Sequence, residues 1–359
     1  MNSSAFFRAI SPEHLYLAAT IFGTITVIIV SMIYLFLYLK KREYRVKALV
    51  TTKLNDWISE TLTEDETETF QTPPELKPHL KKHTIRLFIV DNLINIKKNL
   101  MGDMADGVIK IYEHLGLKED SERKMKSLIW HQRARGIFEL YMMHQRESLS
   151  GILEYTNSNN EYVRMEAQTA IIGFDGFNGL VFLDTLTYPM YEWQQIKLLE
   201  QLNAINAEEM PHLPLWLRSK NRYVIQFALK LTEIYQQFHL HDEVVHCLDN
   251  ENVKIRYQAI KTLGNIAENS TVVRLKEQYD KENTTNKLEI LKQVGVHGTD
   301  DDIDFLVSKL GEEDDALKLE AGRSIVSINR ERMDILDARS ADNETISSIT
   351  QQIKYEIAL

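Results

Sequence analysis

The chain has 359 residues, of which 44% are hydrophobic and 26% charged, so it is long enough for one to three compact domains or one extended array. Its net charge of −10 excludes a generic nucleic-acid binder, which needs a basic footprint. A single cysteine, Cys247, excludes an internal disulfide framework and a multi-cysteine zinc site, and 14 Gly with 7 Pro disfavour turn-rich β folds.

Residues 1–14 read as a short external N-terminus. Leu15 to Leu39 is uncharged throughout, long enough to cross a bilayer core with some tilt, with Tyr16 near one end and Tyr34 and Tyr38 near the other. A cleaved signal sequence would need a shorter apolar run, a basic leader and a small-residue cleavage site, none of which is present. Lys40, Lys41, Arg42, Arg45 and Lys47 follow the span, whereas only Arg8, offset by Glu13, precedes it. Positive charge stays inside, which predicts an inner-membrane, single-pass protein with residues 40–359 cytoplasmic. The same basic flank suits anionic headgroups. Ala19 and Gly23 form a small-xxx-small pair, a weak cue for helix pairing whose use the sequence leaves open.

Residues 40–62 predict a basic juxtamembrane helix with Val46, Leu49, Val50, Leu54, Trp57, Ile58 and Leu62 at helical spacing. Residues 63–78, acidic, threonine-rich and carrying Pro73, Pro74 and Pro78, read as an exposed linker. Residues 79–119 predict N-terminal helices that cap a repeat array over residues 120–340. Ile85, Leu87, Phe88, Leu93 and Ile94 line one, and Val108, Ile109, Ile111, Tyr112 and Leu115 the next.

Within that array one phrase recurs. Ala167, Leu198, Ala228, Ala259, Ile290 and Ala321 succeed one another at a step of about 31 residues, the kind of period that marks repeat architectures. Four residues after each stand Ile171, Leu202, Thr232, Leu263, Val294 and Ile325. Ile152, Leu183, Leu213, Val244, Leu275 and Leu306 precede each by fifteen. Seven residues before each stand Asn160, Tyr191, Asn221, Asn252, Asn283 and Asp314. Asn and Asp are preferred helix N-caps, so each repeat predicts a helix, a turn closed by Asn or Asp, and a second helix. A single pair cannot bury its own apolar face; stacking does. Gly136 and Leu140 fall one step earlier, which predicts a further repeat with Trp130 buried, and residues 341–359 read as a capping helix.

The phrase V-R-x-x-A-x-x-A at Val163 to Ala170, with I-R-Y-Q-A-I-K-T-L-G at Ile255 to Gly264, resembles HEAT repeats, and the short period resembles their compact bacterial form. The resemblance covers residues 120–340. It implies an all-α fold, an α-solenoid of stacked helix pairs preceded by one transmembrane helix. Arg164, Arg256, Lys287 and Lys318 share one column. In HEAT repeats a basic residue there commonly bonds the turn of an adjacent repeat; a binding stripe on the surface is the alternative, and the sequence leaves both open.

Little in the sequence points to chemistry. Cys247 sits beside Leu248 and Val244 as a small core residue, and reactivity would need an electropositive, accessible setting. His241 and His246 are off the i, i+4 spacing of two ligands on one helical face, and His239 completes no metal motif. Asp300 to Asp304 and Glu312 to Asp315 precede helices, where acids cap and favour the dipole, and their spacing does not fit a calcium loop. No phosphate loop, dinucleotide fingerprint or nucleophile elbow occurs, so no cofactor, metal or small-molecule substrate is expected. The chain therefore reads as a membrane-anchored cytoplasmic scaffold that binds proteins and catalyses nothing itself. The alternatives are a HEAT-like enzyme of the bilin-lyase class, or an accessory subunit of a membrane glycosyltransferase or of a transport or signalling complex.

Overall fold

A computed structural model describes residues 12–63, 71–203, 210–341 and 343–358. Among these residues 78% are helical and none forms a strand, which puts the protein in the all-α class. The chain divides into two units, residues 1–148 and 149–359. The expected start of the repeats at residue 120 therefore falls inside the first unit, because the helix carrying Gly136 and Leu140 packs there.

The first unit contains α1 (Pro12–Thr63), α2 (His83–Lys97), α3 (Asp103–His114), α4 (Lys118–Met125) and α5 (Trp130–Met142). The expected span and juxtamembrane helix are one unbroken helix of 52 residues. Neither Gly nor Pro interrupts it between Gly23 and Thr63. Its first half, residues 15–39, is apolar and exposed all round, long and apolar enough to cross a membrane. Its second half carries one buried stripe, Val50, Leu54, Trp57 and Ile58, that packs with α2 and α3. Leu49 turns away from that stripe and is exposed; the side chain of Leu62 lies outside the described residues.

Three further expectations need correction. The linker reading extends too far: residues 64–70 lie outside the described residues, but Leu76 is buried in the core. Pro73 starts a turn there, its carbonyl accepting from the Leu76 amide at 3.0 Å, which carries Leu76 inward. The buried stripe of α2 is Ile85, Ile89, Val90, Leu93 and Ile94, while Leu87 and Phe88 are half-buried at its margin. Trp130 is not buried: it is the first residue of α5, has no preceding helical turn to cover it, and stays 47% exposed with its ring edge-on to His131. Gly136 is the tight point of this unit. A Cβ there would strike the backbone of α4 at Ser121 and Met125.

The second unit contains α6 (Leu149–Leu153), α7 (Glu161–Asp175), α8 (Glu192–Asn203), α9 (Leu213–Leu217), α10 (Arg222–Ile234), α11 (His241–His246), α12 (Val253–Asn265), α13 (Thr271–Gln278), α14 (Thr284–His297), α15 (Ile303–Lys309), α16 (Asp315–Ile328), α17 (Met333–Ser340) and α18 (Glu344–Ala358). The longer, second helix of each pair packs against the second helix of the next: α7 on α8, α10 on α12, α12 on α14, α14 on α16. Ala167, Leu198, Ala228, Ala259, Ile290 and Ala321 are all fully buried at these contacts. Gly264 and Gly295 let α12, α14 and α16 approach further, since a Cβ on either would meet Gln293 or Ser324 of the next helix. The first helix of the second pair is a 3₁₀ run, Gly176–Asp184. Gly176, at φ 58°, ends α7, and Gly179 presses on the Ile171 carbonyl, so the chain reverses too tightly for an α-turn, yet Leu183 still reaches the core.

The cap column has a geometry. Asn160 accepts from the Tyr162 and Val163 amides, Asn221 from Tyr223, Asn252 from Lys254, Asn283 from Asn286, and Asp314 from Ala316. Each pairs a first-turn amide that has no partner within its helix. Asn252→Ala is expected to lower the unfolding free energy by about 1 kcal/mol, read by urea denaturation at unchanged slope. A change below a few tenths would mean that water replaces the cap.

Candidate functional site

The basic column is built into the stack. Arg164 is buried and donates to Ser158 O at 2.6 Å, in its own turn, and to Pro189 O at 3.2 Å, in the next. Arg256 repeats this further along the array: it donates to Asn250 O at 2.9 Å and reaches Glu282 of the next turn at 2.6 and 3.0 Å. Lys287 lies 3.8 Å from Glu312 and 4.8 Å over the Tyr279 ring. Lys318 pairs with Asp315 of its own helix at 2.7 Å.

The other sequence candidates are structural in the same way. Cys247 is buried, donates weakly to Leu217 O and Glu243 O, and burial pushes its thiol up to about 12, far above the range of a reactive thiolate. His241 is buried with Nε2 2.8 Å from the Thr271 hydroxyl, which ties α11 to α13. Asp302 takes the Thr299 amide at 2.9 Å in a capping box and holds Lys276. Among the described residues no group of three or more His, Cys, Asp or Glu side chains could hold a metal ion. The flanking cations Lys40, Lys41, Arg42 and Arg45 project from α1 and are exposed, and Lys47 is half-buried over Phe88.

What the columns did not disclose is a groove of about 860 Å³ across the N-terminal ends of α8, α10, α12 and α14. Its aromatic residues come from three different places in the repeat. Tyr191 takes the cap position before α8, Tyr223 stands in the first turn of α10, and Tyr257 lies one turn into α12. The Tyr191 and Tyr223 rings meet edge to face, 6.3 Å apart. Arg222 donates to the Tyr223 hydroxyl at 2.8 Å with its guanidinium 4.8 Å over that ring, an arrangement that holds both side chains in place.

The charge of this groove is opposite to that of the chain. Arg222, Lys230 and Lys254 line it against one carboxylate, Glu192, which lies 3.7 Å from Lys230. The polar floor is satisfied internally: Gln195 donates to Met190 O at 3.0 Å, Asn286 to Val253 O and Glu282, and Gln258 to Glu233 at 2.6 Å. Tyr162 of α7 and Trp193 and Ile196 of α8 are further apolar side chains that stand exposed in the second unit. Tyr162, Trp193 and Tyr223 occupy the same position, two residues past the cap, in three successive repeats. That column was the available signal, and it is aromatic only in this part of the chain.

The groove thus joins tyrosine rings, cations and an internally satisfied floor on one face of the second unit. Aromatic and arginine side chains are the groups over-represented among residues that dominate binding energy.

No family model matches the chain, and no curated protein does. Among solved structures, an engineered protein is 13% identical over 86% of this chain and 99% of its own, with a TM-score of 0.38. The complex of CpcE and CpcF of phycocyanin lyase from Nostoc is 10% identical over 82% of this chain and 98% of its own, with a TM-score of 0.25. Both scores are too low for the likeness to identify a fold.

Proposed function

We propose that the protein is a single-pass, membrane-anchored α-solenoid of HEAT-like helix pairs, and that it binds a protein partner at the membrane without catalysing a reaction of its own. The apolar half of α1 is the anchor in this reading. The basic flank at Lys40, Lys41, Arg42, Arg45 and Lys47 sets the orientation, with the helical units in the cytoplasm of the cell and the N-terminus outside. The observation that carries the binding role is the groove at Tyr191, Tyr223 and Tyr257, whose excess of cations in a chain of net charge −10 selects an acidic segment of the partner.

A photo-crosslinking residue at Tyr257, in the full chain in its native membrane, tests this. One partner is expected to be captured, with a yield that drops as salt screens the groove and roughly tenfold weaker capture in Tyr223→Ala, the scale of a central binding residue. Lys254→Glu should weaken it further by reversing a charge. The same capture from the exposed position of Asn265, or capture indifferent to both substitutions, would show that the groove is not the binding surface.

A further inference from the structure

The loop between α2 and α3, residues 98–102, carries an apolar side chain that stands almost fully in solvent: Met101 is 92% exposed, and Met104, just inside α3, is 52% exposed. Gly102, at φ 59°, reverses the chain there and leaves Met101 at the outer edge of the turn.

Contacts along α1 fix the height of this loop. The Trp57 and His114 rings are 5.9 Å apart, so the C-terminal end of α3 lies beside residue 57 of α1. Arg86, in the first turn of α2, donates to Leu115 O at 3.1 Å and Gly116 O at 2.7 Å, just past that same end of α3. The two helices are therefore antiparallel. The Lys47 ammonium lies 5.4 Å over the Phe88 ring, so α2 proceeds from the level of Trp57 back toward the apolar half of α1. From His114 to Asp103 the axis of α3 retreats by up to about 16 Å at 1.5 Å per residue, which brings the start of α3 toward the level of Val46. Val46 is only about 10 Å along the helix axis beyond Leu39, the last residue of the apolar run. The headgroup layer on each side of a bilayer core is about 5–8 Å thick, so Asp103 lies just outside it, and the loop beyond Asp103, on the side toward Leu39, covers the remaining few ångströms with the reach of a methionine side chain.

We infer that the α2–α3 loop, led by Met101 and Met104, is a second membrane contact that rests in the headgroup layer of the leaflet from which α1 emerges. The inference rests on α1 spanning the bilayer. Two methionines at a turn place flexible, polarizable side chains among headgroups at little conformational cost. The exposed cations Lys40, Lys41, Arg42 and Arg45 occupy the same layer and reinforce the contact where the lipids are anionic. The occupant is the bilayer to which the same helix is fixed, and the short axial distance from Leu39 is what selects it over a protein.

Depth-dependent fluorescence quenching tests this on the full chain in vesicles of phosphatidylcholine with phosphatidylglycerol. Single cysteines replace Met101, Met104, Ile28 or Glu119 and carry an environment-sensitive dye; buried Cys247 stays, with unsubstituted protein as the labelling control. Headgroup spin-labelled lipid is expected to quench the Met101 and Met104 dyes about twofold. Acyl-chain label should quench Ile28, and Glu119, on α4, should respond to neither. Quenching at Ile28 without quenching at Met101 and Met104 would overturn the loop contact and leave the anchor standing. No quenching at Ile28 would remove the anchor, and the inference with it. A Met101 signal that depends on protein density rather than on lipid label would assign the loop to a second copy of the chain and also overturn it.

Discussion

Ala259→Asp is expected to lower the melting temperature of the second unit by on the order of 10 °C. Ala259 is fully buried on α12, where that helix packs between α10 and α14. Its methyl group sits among apolar neighbours, and Leu263, one turn on, is equally buried. An aspartate there would place its charge inside the apolar core. Stranding a charge in a core costs about 3–5 kcal/mol, and each kcal/mol moves a domain of this size by about 2–4 °C. Lys292→Asp, on the exposed face of α14, is the control and should stay within about 0.5 kcal/mol of the wild type. Calorimetry on the full chain in detergent separates the two, and equal melting for both would mean that α12 does not pack through this face.

The second large effect concerns Glu282. Its side chain is fully buried, yet it accepts from Arg256, from Gln278 at 2.7 Å and from Asn286 at 2.7 Å. Burial alone would raise its pKa; those hydrogen bonds and the Arg256 charge outweigh burial and hold the carboxyl below its ordinary value. Glu282→Ala removes the acceptor of three donors and leaves the Arg256 guanidinium half paired, an expected loss of about 3–5 kcal/mol by denaturant titration. The pH dependence has a definite sign. A depressed pKa in the folded state stabilises above the unfolded value, near 4.5, and that contribution is lost as the pH falls through the folded value. The advantage of the wild type over Glu282→Gln should therefore be full at neutral pH and shrink below about pH 4.5. An advantage independent of pH would mean that the carboxylate does not carry the effect.

Glu282 also marks the limit of what periodicity discloses. Glu251, Glu282 and Glu313 occupy one column, the residue before the cap, and look alike in sequence. Only Glu282 is buried; Glu251 and Glu313 are exposed, because only at Glu282 do an arginine of the preceding repeat and two amides of its own turn converge. The caps and the buried alanines were legible because each depends on its own helix and the next, and that requirement returns at every step. The groove was not, because Tyr191, Tyr223 and Tyr257 come from different columns and meet only once the helices are side by side. The choice between a ladder and a surface stripe for Arg164 and Arg256 was likewise open in sequence, since the acceptors, Pro189 O and Glu282, stand a repeat away. Trp130 and Leu76 misled for the opposite reason: their exposure is decided by a helix start and a proline turn, not by periodicity.

The unbroken α1 helix has no hinge between Leu39 and Val50, so the azimuth of the first unit about the axis of the apolar segment is set by residue count alone. One inserted residue would swing the unit by about 100° and lift it about 1.5 Å, whereas seven would leave it within about 20° of its starting angle and about 10 Å higher. The stretch from Lys40 to Leu49 thus works as a spacer of fixed phase, in which length encodes direction.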